Sequence, residues 1–360
     1  METEYIIVDP LKPDQNALKK GARLLQQGEV VAFPTETVYG LGANALDVQA
    51  VKKIYLAKGR PSDNPLIVHV ADREQLIPLV KEVPEKAYDL IDKFWPGPLT
   101  LIFPKSALVP GEVTAGLDTV AVRMPKHPVA LALIKEANVP VAAPSANASG
   151  KPSPTEGKHV WADLNGKIPL VLDGGATKVG VESTVLDVTG DLPLILRPGG
   201  VTREELQSTI GPVEYDPGLT EKKVPRAPGM KYTHYSPEAD VVLITGEAKE
   251  RKEKMKRLFL HLTQEGKKVA LLLSEETQKE MTGQIVPYYQ EVLGSRQDLS
   301  GIAHRLFSAF RNCDLSGAEI ILIEEFSHQG MGAAVMNRIR KAAGGVQDAP
   351  LTIDMGDLDD

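Results

Sequence analysis

Short apolar runs alternate with amphipathic stretches along this 360-residue chain, and that alternation restricts the fold to the α/β class. The run from Val30 to Phe33 is typical of a buried strand. The stretch after Asp14 has apolar residues at helical spacing until Gly28, which predicts a capped helix. Later in the same region, several predicted strands follow one another without a helix between them. A mixed twisted sheet is therefore expected rather than a strict series of βαβ units.

Apolar periodicity, with the Gly and Pro residues that interrupt it, sets the bounds of the other elements up to about residue 210. The predicted helices cover about 47–57 and 85–94, with further helices after Pro128 and from Thr202. The predicted strands lie at 66–70, 99–103, 119–124, 170–173, 183–188 and 194–197, with one more before Pro144.

A proline-rich stretch at 211–237 interrupts the alternation and is interpreted as an extended linker. Beyond it, strands are predicted at 240–245, 268–273 and 319–323, and helices at 248–265, 298–312 and 331–343. This second series predicts a smaller, Rossmann-like, doubly wound α/β domain. The predicted organisation is a mixed α/β domain at 1–210, a linker at 211–237, the small domain at 238–345 and a tail at 346–360.

Charge and cysteine content exclude several classes of protein. The formal net charge is −7 with no long run of Lys or Arg, which argues against a protein that grips nucleic acid through many phosphate contacts. Cys313 is the one cysteine, so no disulfide forms within the chain and no Cys cluster has zinc spacing. No apolar run approaches the roughly 20 residues that span a membrane, and we expect a soluble cytoplasmic protein.

Four polar segments in the first 200 residues hold the candidate functional residues. They lie at 34–43, 58–66, 144–153 and 180–184, the last supported by 197–199. The first segment directly follows a predicted strand, which is where open α/β sheets bind ligands. Together the segments predict a site for a polyanion, built from cations and short polar side chains. They contain no Ser-His-Asp grouping and no cluster of metal ligands.

Each of these residues also has an ordinary structural interpretation. Lys58 and Arg60 are typical of a solvated helix end, where surface charges are common. Ser145 and Asn147 are equally typical of a turn. His69, inside an apolar strand, fits a packed core histidine. Only the joint occurrence of these residues with their neighbours favours a functional site.

The stretch at 40–45 fits a loose dinucleotide-binding pattern, G-x-G-x-x-A. The residues Thr-Glu-Thr-Val-Tyr separate it from the preceding strand, whereas the fingerprint places its first glycine at the strand end. A dinucleotide-dependent oxidoreductase is therefore disfavoured. No G-x-x-x-x-G-K-[ST] loop occurs, so any ATP site is not of the P-loop type.

The polar segments together resemble the YrdC/TsaC family in its long two-domain form. The K-x-R…S-x-N tetrad of that family corresponds to Lys58, Arg60, Ser145 and Asn147. The neighbouring sequence also matches, at PTETVYGLG (34–42), KGRPSDNPL (58–66), FWPGPLT (94–100), TVAVRMP (119–125), APSAN (143–147), GVESTV (180–185), APGMKYTHYSP (227–237) and MNRIRKA (336–342). The resemblance covers nearly the whole chain and implies a YrdC-like first domain.

The resemblance implies an L-threonylcarbamoyladenylate synthase. Threonine, bicarbonate or CO2, and ATP would give threonylcarbamoyl-AMP and pyrophosphate, for threonylcarbamoyladenosine modification of tRNAs that read ANN codons. Mg²⁺ would enter on ATP, with no metal ligands supplied by the protein alone. The product would pass to the tRNA threonylcarbamoyl-transfer machinery, TsaD and TsaB-like proteins, with at most a weak RNA contact and no membrane.

The resemblance also implies residue roles, with Lys58, Arg60, Ser145 and Asn147 as the catalytic group. ATP would be bound by Lys58, Arg60, Ser62, Thr119, Ser145, Ser153, Arg197 and Tyr235. Threonine would be bound by Thr35, His69, Arg123 and Ser183, with Arg123 on its carboxylate. Tyr235 and the preceding His234 would belong to a linker that closes over the site as a lid. The alternative for Tyr235 is a ring that only packs the linker down.

Two other function classes stay open. A non-catalytic RNA-binding module would need a basic face, and the acidic balance of the chain disfavours it. A carbamoyl-phosphate-using maturation factor with a related domain would carry Cys-rich zinc segments, which a chain with one cysteine lacks.

Overall fold

The computed structural model describes residues 1–219 and 235–344 and divides them into two compact units. The first unit comprises 1–149 and 153–219, and the second comprises 150–152 and 235–344. His234, most of the predicted linker and the predicted tail lie outside the described residues. The exact domain bounds given above therefore stay predictions.

Residues 1–219 form one twisted sheet of mixed strand direction, with helices between its strands. The strands are β1 (Glu4–Ile7), β2 (Val31–Phe33), β3 (Gly40–Asn44), β4 (Ile67–His69), β5 (Leu99–Pro104), β6 (Thr119–Arg123), β7 (Val141–Ala142), β8 (Leu170–Asp173), β9 (Thr184–Asp187), β10 (Leu194–Arg197) and β11 (Glu214–Tyr215). The helices are α1 (Gln15–Gln26), α2 (Val48–Lys58), α3 (Glu85–Phe94), α4 (Gly111–Thr114), α5 (Pro128–Ala137), α6 (Gly157–Leu164) and α7 (Arg203–Ile210). The strand order is β1-β8-β2-β3-β7-β4-β6-β5-β9-β10-β11. The mixed α/β sheet expected from the sequence is confirmed.

Both faces of this sheet are covered by apolar side chains, as strand β2 illustrates. Val31 and Phe33 pack in one core cluster with Leu25 of α1 and Leu133 of α5. Ala32, which points to the opposite face, packs in a second and larger cluster that includes side chains of α2 and α3. A strand buried on both faces needs a continuous apolar run, which explains why this segment was recognisable from its sequence.

Strand β3 carries the two glycines of the dinucleotide-like pattern. Gly40 and Gly42 pair with Phe33 and Val31 of β2 in antiparallel register, so they lie in a strand rather than a phosphate-binding loop. A Cβ on Gly42 would lie 2.6 Å from atoms of both Phe33 and Val141. The glycines are explained by close packing in the sheet, which overturns the dinucleotide interpretation.

The end of the first unit differs from the sequence expectation. Residues 214–215, which composition placed in the linker, form β11 and pair in parallel with Leu194 and Ile195 of β10. The prolines at 212 and 217 lie on either side of this two-residue pairing, where a missing N–H does not disrupt it. The chain therefore belongs to the first sheet beyond residue 211.

The second unit is a four-stranded parallel sheet in the order β12-β15-β13-β14. Its strands are β12 (Asp240–Ile244), β13 (Val269–Ser274), β14 (Tyr289–Gly294) and β15 (Ile320–Glu324), and its helices are α8 (Ala248–Gln264), α9 (Glu275–Met281), α10 (Leu299–Ser316) and α11 (Gly332–Ala342). Side chains of α8 pack on the sheet, with Leu258 and Phe259 against Leu271 and Leu322. The small doubly wound α/β domain is confirmed, although β14 and α9 were not predicted. Across the described residues, the helices are all too short or too polar to cross a membrane.

Candidate active site

Three members of the predicted tetrad meet at the carboxyl end of α2. Lys58 is 4% exposed, and its ammonium group donates to the carbonyl oxygen of Asn147 at 2.6 Å and to the Asn147 Oδ1 at 3.2 Å. It also donates to the carbonyl oxygen of Ser145. Ser145 Oγ in turn donates to Asn147 Oδ1 at 2.6 Å. A buried ammonium group therefore fixes the backbone and side chains of the Ser145–Asn147 segment.

The helix end explains why Lys58 and the next cation diverge. Gly59 terminates α2 in the left-handed conformation, with φ of 61°, and reverses the chain directly after Lys58. Arg60 is half-buried, and its Nη2 donates to the carbonyl oxygens of Asn64 at 3.2 Å and Pro65 at 3.4 Å. Arg60 thus lies two residues from Lys58 and contacts its own loop.

A second polar group gathers around Ser183, one of the predicted threonine-binding residues. Arg197 is 5% exposed and donates from Nε and Nη2 to the carbonyl oxygen of Ser183, at 3.1 and 3.0 Å. Its Nη2 also lies 3.1 Å from Ser183 Oγ, which is 2.8 Å from Thr100 Oγ1. Gly199 permits this approach, because a Cβ there would lie 2.3 Å from the backbone of Ser183. The structure therefore joins Ser183 and Arg197 directly.

The remaining predicted threonine-binding residues surround the start of the 34–43 segment. Thr35 Oγ1 lies 2.8 Å from Thr37 Oγ1, which accepts a hydrogen bond from Arg123 Nη1 at 3.0 Å. His69 of β4 is the register partner of Arg123 in β6, so the two side chains leave the same face of the sheet. Arg123 Nη2 is 2.7 Å from Glu36 Oε1. Thr35, His69 and Arg123 thus belong to one cluster of buried polar side chains, together with an acidic residue, Glu36, that was not predicted.

This cluster contains buried polar atoms whose hydrogen-bonding capacity is largely unused. Within the described residues, the carboxylate oxygens of Glu36 and Arg123 Nη2 make no hydrogen bond beyond their own ion pair, and His69 Nδ1 makes none. The three side chains are at most 6% exposed. Because buried polar atoms in folded proteins are nearly always hydrogen-bonded, atoms left without partners indicate a place for a polar ligand or ordered water.

His69 is neutral in this environment. Burial, followed by the positive charge of Arg123, lowers the pKa of His69 to about 3. At pH 7 its ring therefore offers one donor and one acceptor rather than a charge. A neutral ring suits recognition of a hydroxyl group better than recognition of an anion.

The other predicted residues are placed apart from these contacts. Ser153 is fully buried and donates to Glu182 Oε1 at 2.5 Å. Ser62 is exposed on the turn after α2, and Thr119 is half-buried at the start of β6. Tyr235 belongs to the second unit, where its ring centroid is 5.2 Å from that of Phe307. The structure does not test the predicted contacts of Ser62, Thr119 and Tyr235 with a nucleotide.

Tyr235 packs within the second unit. Its side chain is 5% exposed, and the Arg338 guanidinium lies 5.4 Å from the ring centroid. Among the described residues, no group of three or more His, Cys, Asp or Glu side chains could hold a metal ion.

Sequence reasoning missed two carboxylates in the first unit. Glu36 faces Arg123, and Glu182 accepts the hydrogen bond of Ser153. Both lie inside the motifs already singled out, PTETVYGLG and GVESTV. Neither was a candidate, because cations and hydroxyl groups are the side chains expected to bind an anionic ligand. The sequence does contain one signal for them, which is a single acidic residue in each of two segments that otherwise lack charged residues.

Two family models together match most of the chain. A Sua5/YciO/YrdC model, described as "Telomere recombination", matches residues 23–199. A model described as "Threonylcarbamoyl-AMP synthase, C-terminal domain" matches residues 201–344.

Similar proteins occur in bacteria and archaea. A Bacillus subtilis protein named threonylcarbamoyl-AMP synthase is 50% identical over 94% of this chain and 96% of its own length. A Pyrococcus abyssi protein of the same name is 50% identical over 91% of this chain and 94% of its own length. The crystal structure of P. abyssi Sua5 with L-threonine superposes with a TM-score of 0.90 at 48% identity, covering 95% of this chain and 98% of that one.

Proposed function

The chain belongs to the Sua5/YciO/YrdC family of threonylcarbamoyl-AMP synthases, and we propose a nucleotidyltransferase mechanism in which its first unit positions ATP against a threonine carbamate. The amine of L-threonine combines with CO2, with loss of one proton, or with bicarbonate, with release of water, to give the carbamate. A carbamate oxygen then attacks the α-phosphate of ATP, the bond to the β-phosphate breaks, and pyrophosphate leaves. Threonylcarbamoyl-AMP is the product.

The observation that carries this proposal is the convergence of Lys58, Ser145 and Asn147. Residues 87 and 89 positions apart along the chain are held together by a buried ammonium group. Lys58 adds positive charge beside the segment that orients the nucleotide, and Arg60 adds a second charge two residues away. Adenylation of this kind needs positioning and charge neutralisation rather than a covalent nucleophile.

The polar groups divide between the two substrates. Ser145, Asn147 and Ser153 would orient the nucleotide, with Ser62, Thr119 and Arg197 as further ATP contacts. Thr35, His69, Arg123 and Ser183 would hold threonine, with Arg123 on its carboxylate. The unused hydrogen-bonding capacity of Glu36, His69 and Arg123 supports an amino-acid site at this cluster.

Mg²⁺ would enter the site on the phosphates of ATP and would neutralise part of their charge there. Lys58 and Arg60 supply the protein's own positive charge.

The mixed anhydride product is labile, so we place the enzyme in the cytoplasm beside the machinery that consumes it. TsaD and TsaB-like proteins would transfer the threonylcarbamoyl group to tRNA, with little RNA contact by this acidic chain. Closure of the linker at Tyr235 over the nucleotide would protect the product from water.

The decisive test is product formation by the full chain and by a variant of Lys58. Wild-type protein incubated with ATP, L-threonine and bicarbonate is expected to yield threonylcarbamoyl-AMP by mass spectrometry and an equal amount of pyrophosphate. The Lys58→Met variant is expected to lose at least about 100-fold in rate, because charge at the transferred phosphate and the hold on Asn147 are both removed.

Lys53→Met is the matched control on the same helix. Lys53 is partly exposed and pairs with Glu29 at 2.6 Å, away from the tetrad contacts. This variant is expected to retain the wild-type rate. A Lys58→Met protein that is folded and turns over at a near wild-type rate would contradict the proposal.

A further inference from the structure

A buried ion pair whose carboxylate accepts no further hydrogen bond from the described residues lies in the polar cluster of Thr35, Glu36, His69 and Arg123. Glu36 Oε1 and Arg123 Nη2 are 2.7 Å apart, and the side chains are 6% and 4% exposed. Within the described residues, neither oxygen of Glu36 accepts a hydrogen bond and Arg123 Nη2 donates none. An ionised carboxylate can accept about four hydrogen bonds, so Glu36 retains acceptor capacity that the fold does not use.

Arg123, in contrast, is already oriented by the protein. Its Nε donates to the carbonyl oxygen of Gly97 at 3.2 Å, and its Nη1 donates to Thr37 Oγ1 at 3.0 Å. These contacts hold the guanidinium in place from two sides, so that Glu36 is not needed to fix its position. The pairing with Glu36 therefore compensates charge rather than setting geometry.

Two histidine rings near this pair are neutral at pH 7. Burial lowers the pKa of His127, which feels the charge of Glu36, to about 4. The pKa of His69 is lowered to about 3, first by burial and then by Arg123. One negative and one positive group thus lie next to each other beside two neutral rings, and Lys178 adds a further positive charge near His127. Their arrangement is complementary to a ligand that carries one positive and one negative group close together.

An α-amino acid is such a ligand, because its ammonium and carboxylate groups are attached to the same carbon. We propose that Glu36 binds the ammonium group of L-threonine while Arg123 binds the carboxylate. The ammonium group has three N–H donors, and the Glu36 carboxylate accepts no hydrogen bond from the described residues. Hydrogen bonds between the two would be charge-assisted. His69 Nδ1, which also has no partner, then serves the threonine hydroxyl. This inference rests on the proposed function for the identity of the amino acid.

Glu36 would thereby determine specificity for substrates with a free amine. The same contact holds the nitrogen that must take up CO2. The ammonium group first loses one proton to water to become an amine, and the nitrogen loses a second proton as the N–C bond forms, so the carbamate forms from a nitrogen whose position is fixed. A purely structural ion pair would instead hold the 34–43 segment against β6 and would not distinguish ligands by their amine. The two roles are separated by ligands that differ only at that group.

The probes are L-threonine and (2S,3R)-2,3-dihydroxybutanoate, in which a hydroxyl group replaces the ammonium group. Dissociation constants are measured by calorimetry at pH 7 with the full chain. Wild-type protein is expected to bind threonine roughly 10- to 100-fold more tightly than the analogue, as loss of a charged hydrogen bond predicts. Glu36→Gln keeps the shape of the side chain and removes its charge, and should reduce this ratio to near one.

Glu29→Gln is the control, because Glu29 pairs with Lys53 at a partly exposed position in the same unit. It should keep the wild-type ratio. A wild-type protein that binds both probes equally overturns the inference, whatever the variants do. An unchanged ratio in Glu36→Gln also overturns it.

If Glu36→Gln does not fold, Glu36→Asp is used instead. Its side chain is one methylene group shorter, so the carboxylate lies farther from the ligand, and the ratio of the two dissociation constants is expected to fall several-fold. An unchanged ratio there overturns the inference as well. Threonylcarbamoyl-AMP formation by wild-type protein tests the proposed function separately. If the protein binds threonine selectively but forms no threonylcarbamoyl-AMP, only the proposed function is contradicted. If it forms threonylcarbamoyl-AMP but does not prefer the ligand with the amine, only the role of Glu36 is contradicted.

Discussion

Each unit of the protein buries a carboxylate beside an arginine, and the two carboxylates are treated differently by the fold. In the second unit, Glu324 is fully buried and accepts from the backbone N–H of Ser274 at 2.6 Å and from Thr277 Oγ1 at 3.0 Å. Arg296 also donates to it, and Arg251 Nε lies 3.8 Å away. In the first unit, Glu36 has Arg123 beside it and accepts no hydrogen bond from the described residues.

The difference separates a structural group from a ligand-binding group. A buried charge is costly unless hydrogen bonds and an opposite charge compensate it, and Glu324 has both. Glu36 has only the opposite charge of Arg123 and no hydrogen bonds from the described residues. A ligand could therefore offset part of the free-energy cost of burying it. Burial of an ionised side chain is therefore a poor indicator of function by itself. The number of hydrogen bonds that the protein leaves unmade is the informative quantity.

The largest effect that this comparison predicts is on the stability of the second unit. Glu324→Ala leaves Arg296 and Arg251 without their shared carboxylate, and the free energy of unfolding should fall by about 3–5 kcal/mol. Chemical denaturation with a probe in the second unit measures the change. Glu280 pairs with Lys252 at the surface, and Glu280→Ala should cost less than about 0.5 kcal/mol. Equal effects of the two substitutions would break the comparison, because Glu324 would then not be a structural group.

A smaller effect concerns acid sensitivity, which should differ between the units. His69 and His127 of the first unit have pKa values lowered by burial to about 3 and about 4. Below about pH 6.5 the unfolded chain binds protons that the folded unit does not. Stability of the first unit is therefore complete above that pH and falls as the pH decreases, by at most about 1.4 kcal/mol per pH unit for each histidine.

The second unit should not lose stability in the same window. Among its acidic side chains is Glu276, and the hydrogen bond from Ser295 lowers the pKa of that carboxyl group to about 2. That contribution is lost only as the pH falls from about 4.5 towards 2. Urea unfolding of each unit between pH 7.5 and 5 checks the contrast, with His69→Asn expected to flatten the slope and His261→Asn, on α8, expected to leave it unchanged. A slope of equal size in both units would contradict the assignment.

Most regular elements could be predicted because their local signals agree with the final packing. Asp14 caps α1 by accepting from the backbone N–H of Ala17, as its position before an apolar period suggested. Strands β8 and β10 have the predicted bounds because each is a short apolar run. In these cases the apolar residues whose spacing indicates the element are the same residues that pack into the core.

Elements were missed where tertiary packing overrides local preference. Strand β3 contains two glycines, which disfavour strands, yet the close approach of Phe33 leaves no room for a Cβ at Gly42. Strand β14 lies at the edge of its sheet, and its polar residues at 290 and 291 hid its strand character. Neither neighbour relation can be deduced from a stretch of sequence alone.

The candidate site divides in the same way. The grouping of Lys58 with Ser145 and Asn147 followed from a resemblance between motifs, not from their spacing along the chain. The partner of Arg123 could not be predicted, because Glu36 lies 87 residues earlier and only the fold brings the two together. Hydrogen bonds that are not made leave no trace in a sequence, so the unused acceptors of Glu36 became visible only in the structure.

Hydrogen exchange of the full chain with and without L-threonine tests most directly whether unmade hydrogen bonds mark the ligand site. Saturating threonine is expected to slow amide exchange in the first unit at 35–40 and 119–124, around Glu36 and Arg123. Exchange in the second unit at 274–277 and 320–325, around Glu324, is expected to stay the same. Equal protection of both regions, or protection around Glu324 alone, would contradict the account.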